Sequence, residues 1–300
     1  MSPPLSCRPS LPRSVLAGVL MLTILTVVPA LGMHADEKKA PPDPKNVVKG
    51  KDAQDLVVFK LEVDVLEKLY HLELNADQLS SLLKLAEMTA AKMPATREAT
   101  AGAEYRKILK ALHGALLEED EDQIQELNEK LDELQEKETI EIDDEFEMTD
   151  AALRAAPQAF KLLSAAQIVA YLAALDDEVP DPVERILSAL EEGEDLDGDE
   201  WKELRDETAE EVSWLVAGFN TENAAKAAKL VTALLDRGHR FKGDEMKKEW
   251  PALQKSAHQL VGNVSALVVL QHYLERELAE LLSNPRTAPA LRMWIKQRKE

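Results

Sequence analysis

Apolar residues return at every third or fourth position through most of this 300-residue chain, and that spacing commits it to helix. Leu56, Phe59, Val63, Leu66 and Tyr70 follow it first, and Ile108, Leu109, Leu112, Leu116 and Leu117 repeat it. The run Val57, Phe59, Leu61, Val63, Val65 also alternates as a strand would, but the three–four step continues to Tyr70 and no partner strand is evident. Composition agrees: 11 glycines and 4% aromatics are few, while Ala, Leu, Glu, Lys and Asp dominate. The expected fold is all-α, with long amphipathic helices in a helical hairpin or cradle-like unit, followed by a second antiparallel helical bundle.

The chain begins with Arg8 and Arg13, an apolar run from Val15 to Val28, and small residues at Ala30, Gly32 and Ala35. This order describes a secretory signal peptide over 1–35. An uncleaved anchor is the alternative, since Ser14 to Gly32 approaches the roughly 20 residues a span requires. Cys7, the single cysteine, precedes the apolar run, so a lipid-attachment role is not expected. Cleavage would leave roughly 265 residues without cysteine, held by apolar burial alone. The expected location is periplasmic or secreted, with no span after cleavage.

Residues 36–52, with Pro41, Pro42 and Pro44, read as a flexible leader. A first helical domain is expected over 53–177. Within it one helix starts at Asn75, Pro94 marks a break, helix resumes from Thr96, and further helices start near Thr149 and Ser164. Pro180, Pro182, Gly193 and Gly198 among acids suggest an acidic linker over 178–198, with a short helical patch from Val183 to Leu190. About five helices are then expected over 199–300 as a separate bundle.

The net charge of -20 is concentrated in two places. Glu118 to Glu147 holds 16 acids against 2 bases, and Asp176 to Glu211 holds 17 against 3. Such a balance excludes a phosphate-binding nucleic-acid face and suits a basic partner or a divalent cation. Within the first acidic run, Ile124, Leu127, Leu131 and Leu134 form a narrow apolar stripe that suits a partly exposed amphipathic helix packing on one neighbour, within the chain or across a dimer. It is also a candidate partner-binding surface for a protein or unfolded client.

One pattern occurs twice. Leu74, Asn75, Gln78 and Leu79 correspond to Leu163, Ser164, Gln167 and Ile168. Each is a capping box: the Asn or Ser side chain accepts from the third helical amide, and the Gln reaches back to the cap amide. The flanking pairs Leu74 with Leu79, and Leu163 with Ile168, stand at the positions of a hydrophobic staple.

This pairing resembles the two Leu-Thr-x-x-Gln motifs of the Spy/CpxP family of bacterial periplasmic proteins, over about Leu56 to Leu175. The resemblance implies a small all-helical unit, often a cradle-shaped dimer, with ATP-independent chaperone or envelope-stress-modulating activity; some relatives bind metals. Asn75 and Ser164 stand where the family has threonine. The family's chaperones tend to carry a basic concave face, so client preference does not transfer to this acidic chain.

Asp195, Asp197 and Asp199 imitate the start of a calcium loop, but Glu200 and Lys202 stand where glycine and an apolar residue are needed. An acidic linker capping the helix at Trp201 is the better reading. His71 with Glu67, and His272 with Glu275, each offer two ligands where a tetrahedral site needs three or four. No metal site and no cofactor is therefore expected. Serine-elbow, phosphate-loop, dinucleotide and zinc-protease signatures are all missing, and no catalytic residue is nominated. The basic, apolar tail around Leu291, Met293, Trp294 and Ile295 is expected to dock on the chain's own acids. The function expected is non-enzymatic binding of the chaperone or stress-modulator type; the alternatives are a divalent-metal buffer or sensor and a structural envelope protein.

Overall fold

The computed structural model describes residues 46–96, 98–174, 179–262 and 264–298. The expected signal segment, Cys7 and most of the leader lie outside the described residues. These residues fold as all-α, with twelve α-helices and two three-residue strands among them. In order they are β1 (Val47–Lys49), α1 (Lys51–Leu72), α2 (Ala76–Thr89), β2 (Glu98–Thr100), α3 (Ala103–Glu118), α4 (Glu121–Lys137), α5 (Asp150–Phe160) and α6 (Ala165–Ala174). Then come α7 (Pro182–Glu192), a 3₁₀ turn (Gly193–Asp195), α8 (Gly198–Ala217), α9 (Thr221–Gly238), α10 (Asp244–Val261), α11 (Ala266–Ser283) and α12 (Thr287–Gln297). Among the described residues no helix is long and apolar enough to cross a membrane.

The axis of the first core is α1. Leu56, Val63 and Leu66 are buried on its stripe, and Val57, Leu61, Val65, Leu69 and Leu72 are buried off it. Helices α3, α6 and α12 and the β1–β2 ribbon all pack around it. A helix buried on most sides is apolar on most sides, which is why this stretch also alternates like a strand.

Two local expectations differ. Residues 98–100 form β2 rather than helix, pairing antiparallel with β1 from the end of the presumed leader, Val48 opposite Ala99. Helix α3 therefore starts only at Ala103, after Gly102.

The larger difference is how the cores divide. One core joins α1–α6 to α11 and α12, through Leu274, Leu278, Leu281, Leu282, Leu291 and Trp294. The second is made by α7–α10, around Ile186, Leu190, Val212, Leu235 and Leu253. The segment from 199 onward is thus not one separate bundle, because its last two helices return to the first core. The region read as a linker is also structural. Pro182 opens α7, Asp181 Oδ1 accepts from the amides of Val183 (2.7 Å) and Glu184 (3.2 Å), and Ile186 and Leu190 are fully buried. Asp at the cap and Pro at the first helical position are strong start signals, and the expected helical patch from Val183 to Leu190 is this helix, opened by Pro182. Asp197 precedes α8 but makes no side-chain cap bond.

The two cores touch where α8 ends against α11. Gly218 has φ of 57°, and the His272 ring lies against it where a Cβ would stand. His272 Nδ1 is 2.9 Å from the Leu215 carbonyl oxygen. Truncating Leu190 to Ala is expected to destabilise the protein by about 2–4 kcal/mol in urea unfolding, as for a buried leucine. A change near zero would mean that α7 is a linker after all.

Candidate functional site

Both capping boxes form. Asn75 Oδ1 accepts from the amides of Asp77 (3.1 Å) and Gln78 (3.0 Å), while Gln78 Oε1 accepts from the Asn75 amide at 2.9 Å. Ser164 Oγ accepts from the Gln167 amide at 3.3 Å, and Gln167 Oε1 accepts from the Ser164 amide at 2.9 Å. Leu74 and Leu79 are buried, whereas Leu163 and Ile168 are half-buried against the same core.

The two boxes also meet each other. Gln78 Nε2 donates to Gln167 Oε1 (2.9 Å) and to the Leu162 carbonyl (2.5 Å). Gln167 Nε2 donates to Gln78 Oε1 (3.0 Å) and to the carbonyls of Glu73 (2.9 Å) and Leu72 (3.2 Å). Each glutamine thus serves its own helix start, the other glutamine, and the turn before the other box. The helices follow the same local two-fold relation, α1 packing on α6 and α2 on α5.

Beside this junction lies a cleft of about 710 Å³. Its apolar lining is Tyr70, Leu74, Ile124, Ala170 and Ala174. Glu73, Glu119 and Glu121 stand at it, with Gln125 and Asn128 along α4 and Arg298 at one end. Burial first, and then the charges of Glu121, Glu119 and Glu73, push the Tyr70 hydroxyl above its ordinary range. Burial pulls His71 down, so its ring enters the cleft neutral at pH 7.

Glu73 and Glu119 are the two non-glycine residues with positive φ among the described residues, at 46° and 55°, and both line the cleft. They end α1 and α3 in the left-handed conformation that glycine adopts at no steric penalty. A side chain there costs on the order of 1 kcal/mol and puts a carboxylate on each turn.

Helix α6 forms one wall. It has no charged residue, and Tyr171 is buried beneath it. Val169 is 66% exposed, and Ala165, Ala166, Ala173 and Ala174 are exposed as well.

The stripe Ile124, Leu127, Leu131 and Leu134 packs within the chain, one of the two neighbours its spacing allowed, and so is not a free partner-binding surface. Ile124 and Leu131 are buried, and Leu127 and Leu134 pack half-buried on the first core, because α4 folds back onto α3. Only Ile124 reaches the cleft. Among the described residues, no three His, Cys, Asp or Glu side chains gather as metal ligands. Near Asp195 the chain closes on itself: the Lys242 ammonium donates to the Glu194 carbonyl, and the Gly243 amide donates to Glu194 Oε1 at 2.8 Å. His239 stacks on Trp201 with centroids 4.0 Å apart.

Several charged contacts had no signal in the sequence. Buried Glu62 accepts from Arg286 (Nε at 2.9 Å) and pairs with His113 Nε2 at 3.0 Å. Burial pushes this carboxyl up, but the bonds from His113 and Arg286 outweigh it and hold Glu62 below the usual range. Glu67, on the face of α1 toward α4, is raised to about 7, chiefly by burial and then by Asp64, with Lys60 and Asn128 opposing and Asp132 adding. Comparison with family models, curated proteins and solved structures finds no match.

Replacing Gln78 and Gln167 by Ala, singly and together, is expected to show a coupling of about 1 kcal/mol or more in a double-mutant cycle. Additive losses would mean that each box acts only on its own helix. Between pH 4.5 and about 7 the folded state holds a proton on Glu67 that the unfolded chain releases. This group's contribution to stability therefore falls as pH rises through that window. Glu67→Gln is expected to stabilise the protein by about 1–2 kcal/mol at pH 8 relative to its effect at pH 4.5, allowing for solvent screening. Parallel stability–pH curves for parent and variant would exclude this.

Proposed function

We propose that this protein is a non-enzymatic, exported helical binding protein of the chaperone or stress-modulator type. It receives apolar segments flanked by basic residues in the cleft between α1, α4 and α6. The observation that carries this reading is the uncharged, exposed face of α6 abutting a cleft edged by Glu73, Glu119 and Glu121. An apolar face offers area to a partner's apolar side chains. The carboxylates steer a basic segment toward it and disfavour an acidic one. The paired motif, with its resemblance to the Spy/CpxP family, supports the same reading. The metal-buffer alternative gains no support from an assembled ligand set among the described residues.

The test is light scattering from an unfolding basic client in the presence of the mature protein. Suppression is expected near equal stoichiometry and should weaken severalfold between low and high salt. Val169→Glu with Ala173→Glu should abolish it while leaving the melting temperature within a few degrees, since both positions are exposed. No suppression at severalfold excess, or equal suppression by the variant, would set the proposal aside.

A further inference from the structure

One end of the cleft is already occupied by a group of the chemistry it would recognise. Arg298 follows α12 and lays its guanidinium across the α1–α2 and α3–α4 turns. Its Nη1 donates to the Leu74 carbonyl at 2.6 Å, and its Nε donates to Glu119 Oε1 at 2.7 Å. Nη2 lies 2.7 Å from the same carboxylate oxygen. Glu119 Oε1 also accepts from Trp294 Nε1 at 3.0 Å, and the Arg298 guanidinium carbon stands 5.5 Å from the Trp294 ring centroid.

We propose that this end of the cleft is an arginine-binding subsite, filled at rest by Arg298, and that a partner engages it by exchanging its own arginine for that side chain. The inference rests on the reading of the cleft as a binding groove.

Three features favour an exchangeable guanidinium over a fixed strap. First, the acceptors are a backbone carbonyl and a carboxylate on two different turns, which one planar fork spans and a single ammonium does not. Second, the Arg298 side chain is 36% exposed and Glu119 is 41% exposed. A pair so wet contributes little to stability and separates readily. Third, Glu73 and Glu121 stand at the same cleft without an ion pair among the described residues. Arg298 therefore leaves the rim negative, and a second cation is still attracted. Tyr70, Ile124, Ala170 and Ala174 provide apolar surface beside the fork, so the fitting partner carries an arginine next to apolar residues.

The contrast with Arg286 sharpens the argument. Arg286 meets Glu62, which is buried, and the pair is shared with His113 inside the fold. Such a pair is costly to break because its carboxylate is only 8% exposed, against 41% for Glu119. Arg298 makes similar bonds at the mouth of a cleft.

The experiment is fluorescence anisotropy on the full mature chain and its variants. The probe is a labelled undecapeptide with leucines on one helical face and one central arginine, compared with the same peptide carrying neutral citrulline there. With the latch closed about nine-tenths of the time, Arg298→Ala should bind the arginine peptide about tenfold more tightly than the parent. Its affinity for the citrulline peptide should not change. Arg298→Lys should fall between, and adding Glu119→Gln to Arg298→Ala should remove most of the gain. Thermal melting followed by circular dichroism reports whether α12 stays folded. If the arginine peptide binds parent and Arg298→Ala equally, or binds the variant more weakly, Arg298 is a structural strap and the subsite does not exist, while the groove reading stands. If neither peptide binds any form, the groove reading falls and this inference with it.

Discussion

Everything around the candidate site depends on two glutamine side chains that hydrogen-bond to each other. Gln78 and Gln167 each spend the amide oxygen on a cap amide and on the other glutamine, and the amide nitrogen on the other glutamine and the turn beyond. Gln78 makes four protein bonds, the capacity of a primary amide with two lone pairs and two protons, while Gln167 makes five, its two amide protons being shared among Gln78 Oε1 and the carbonyls of Glu73 and Leu72. Because the donors satisfied include helix-start amides, the arrangement fixes where α2 and α6 begin and how they face. It therefore also fixes the exit of α1 at Glu73 and the position of the α6 wall, which together define one side of the cleft.

The fold's class was legible because the signals for helix are local. Three–four spacing, cap residues and scarce glycine act within a few residues of one another, and so do both capping boxes. What the boxes do together was not legible, since Gln78 and Gln167 are 89 residues apart and their meeting depends on how α1, α2, α5 and α6 pack. The return of α11 and α12 to the first core escaped for the same reason: the apolar faces of Leu274–Leu282 and Leu291–Trp294 announce burial but not the partner. The helical patch from Val183 to Leu190 was legible and forms α7, but that Ile186 and Leu190 belong to a core and not to a linker depends on how α7 meets α8–α10. The stripe on α4 is a sound amphipathic face whose spacing left its recipient open between this chain and a second copy, and the recipient is this chain. Its charged surroundings made it look exposed, yet a turn at Glu119 folds it straight back onto α3.

The candidate site was partly legible at most. Leu74 was named for its staple role and Ile124 for its stripe, and both end in the cleft. Glu73 and Glu119 could not be singled out from so many acids, because a left-handed backbone leaves no mark on residue type other than glycine. Their conformation nevertheless separates them from the rest. Two helix ends that glycine would close with less strain carry carboxylates instead, and both carboxylates face the same 710 Å³ space. An acidic surface selected only for solubility has no reason to place charge at the two strained positions that converge.

Helix α12 ties these observations into one energetic argument. Leu291 and Trp294 are buried in the first core, so the helix is anchored by apolar area independent of its charges. The anchoring leaves Arg298, beyond the last turn, able to change partners without unseating the helix, because Leu291 and Trp294 and not the arginine hold it to the core. Glu119 remains bonded to Trp294 Nε1 when Arg298 leaves, so the carboxylate keeps its place and stays oriented. A cleft whose acceptor is held by the core and whose resident cation is held only by exposed bonds can exchange one arginine for another without reorganising the fold.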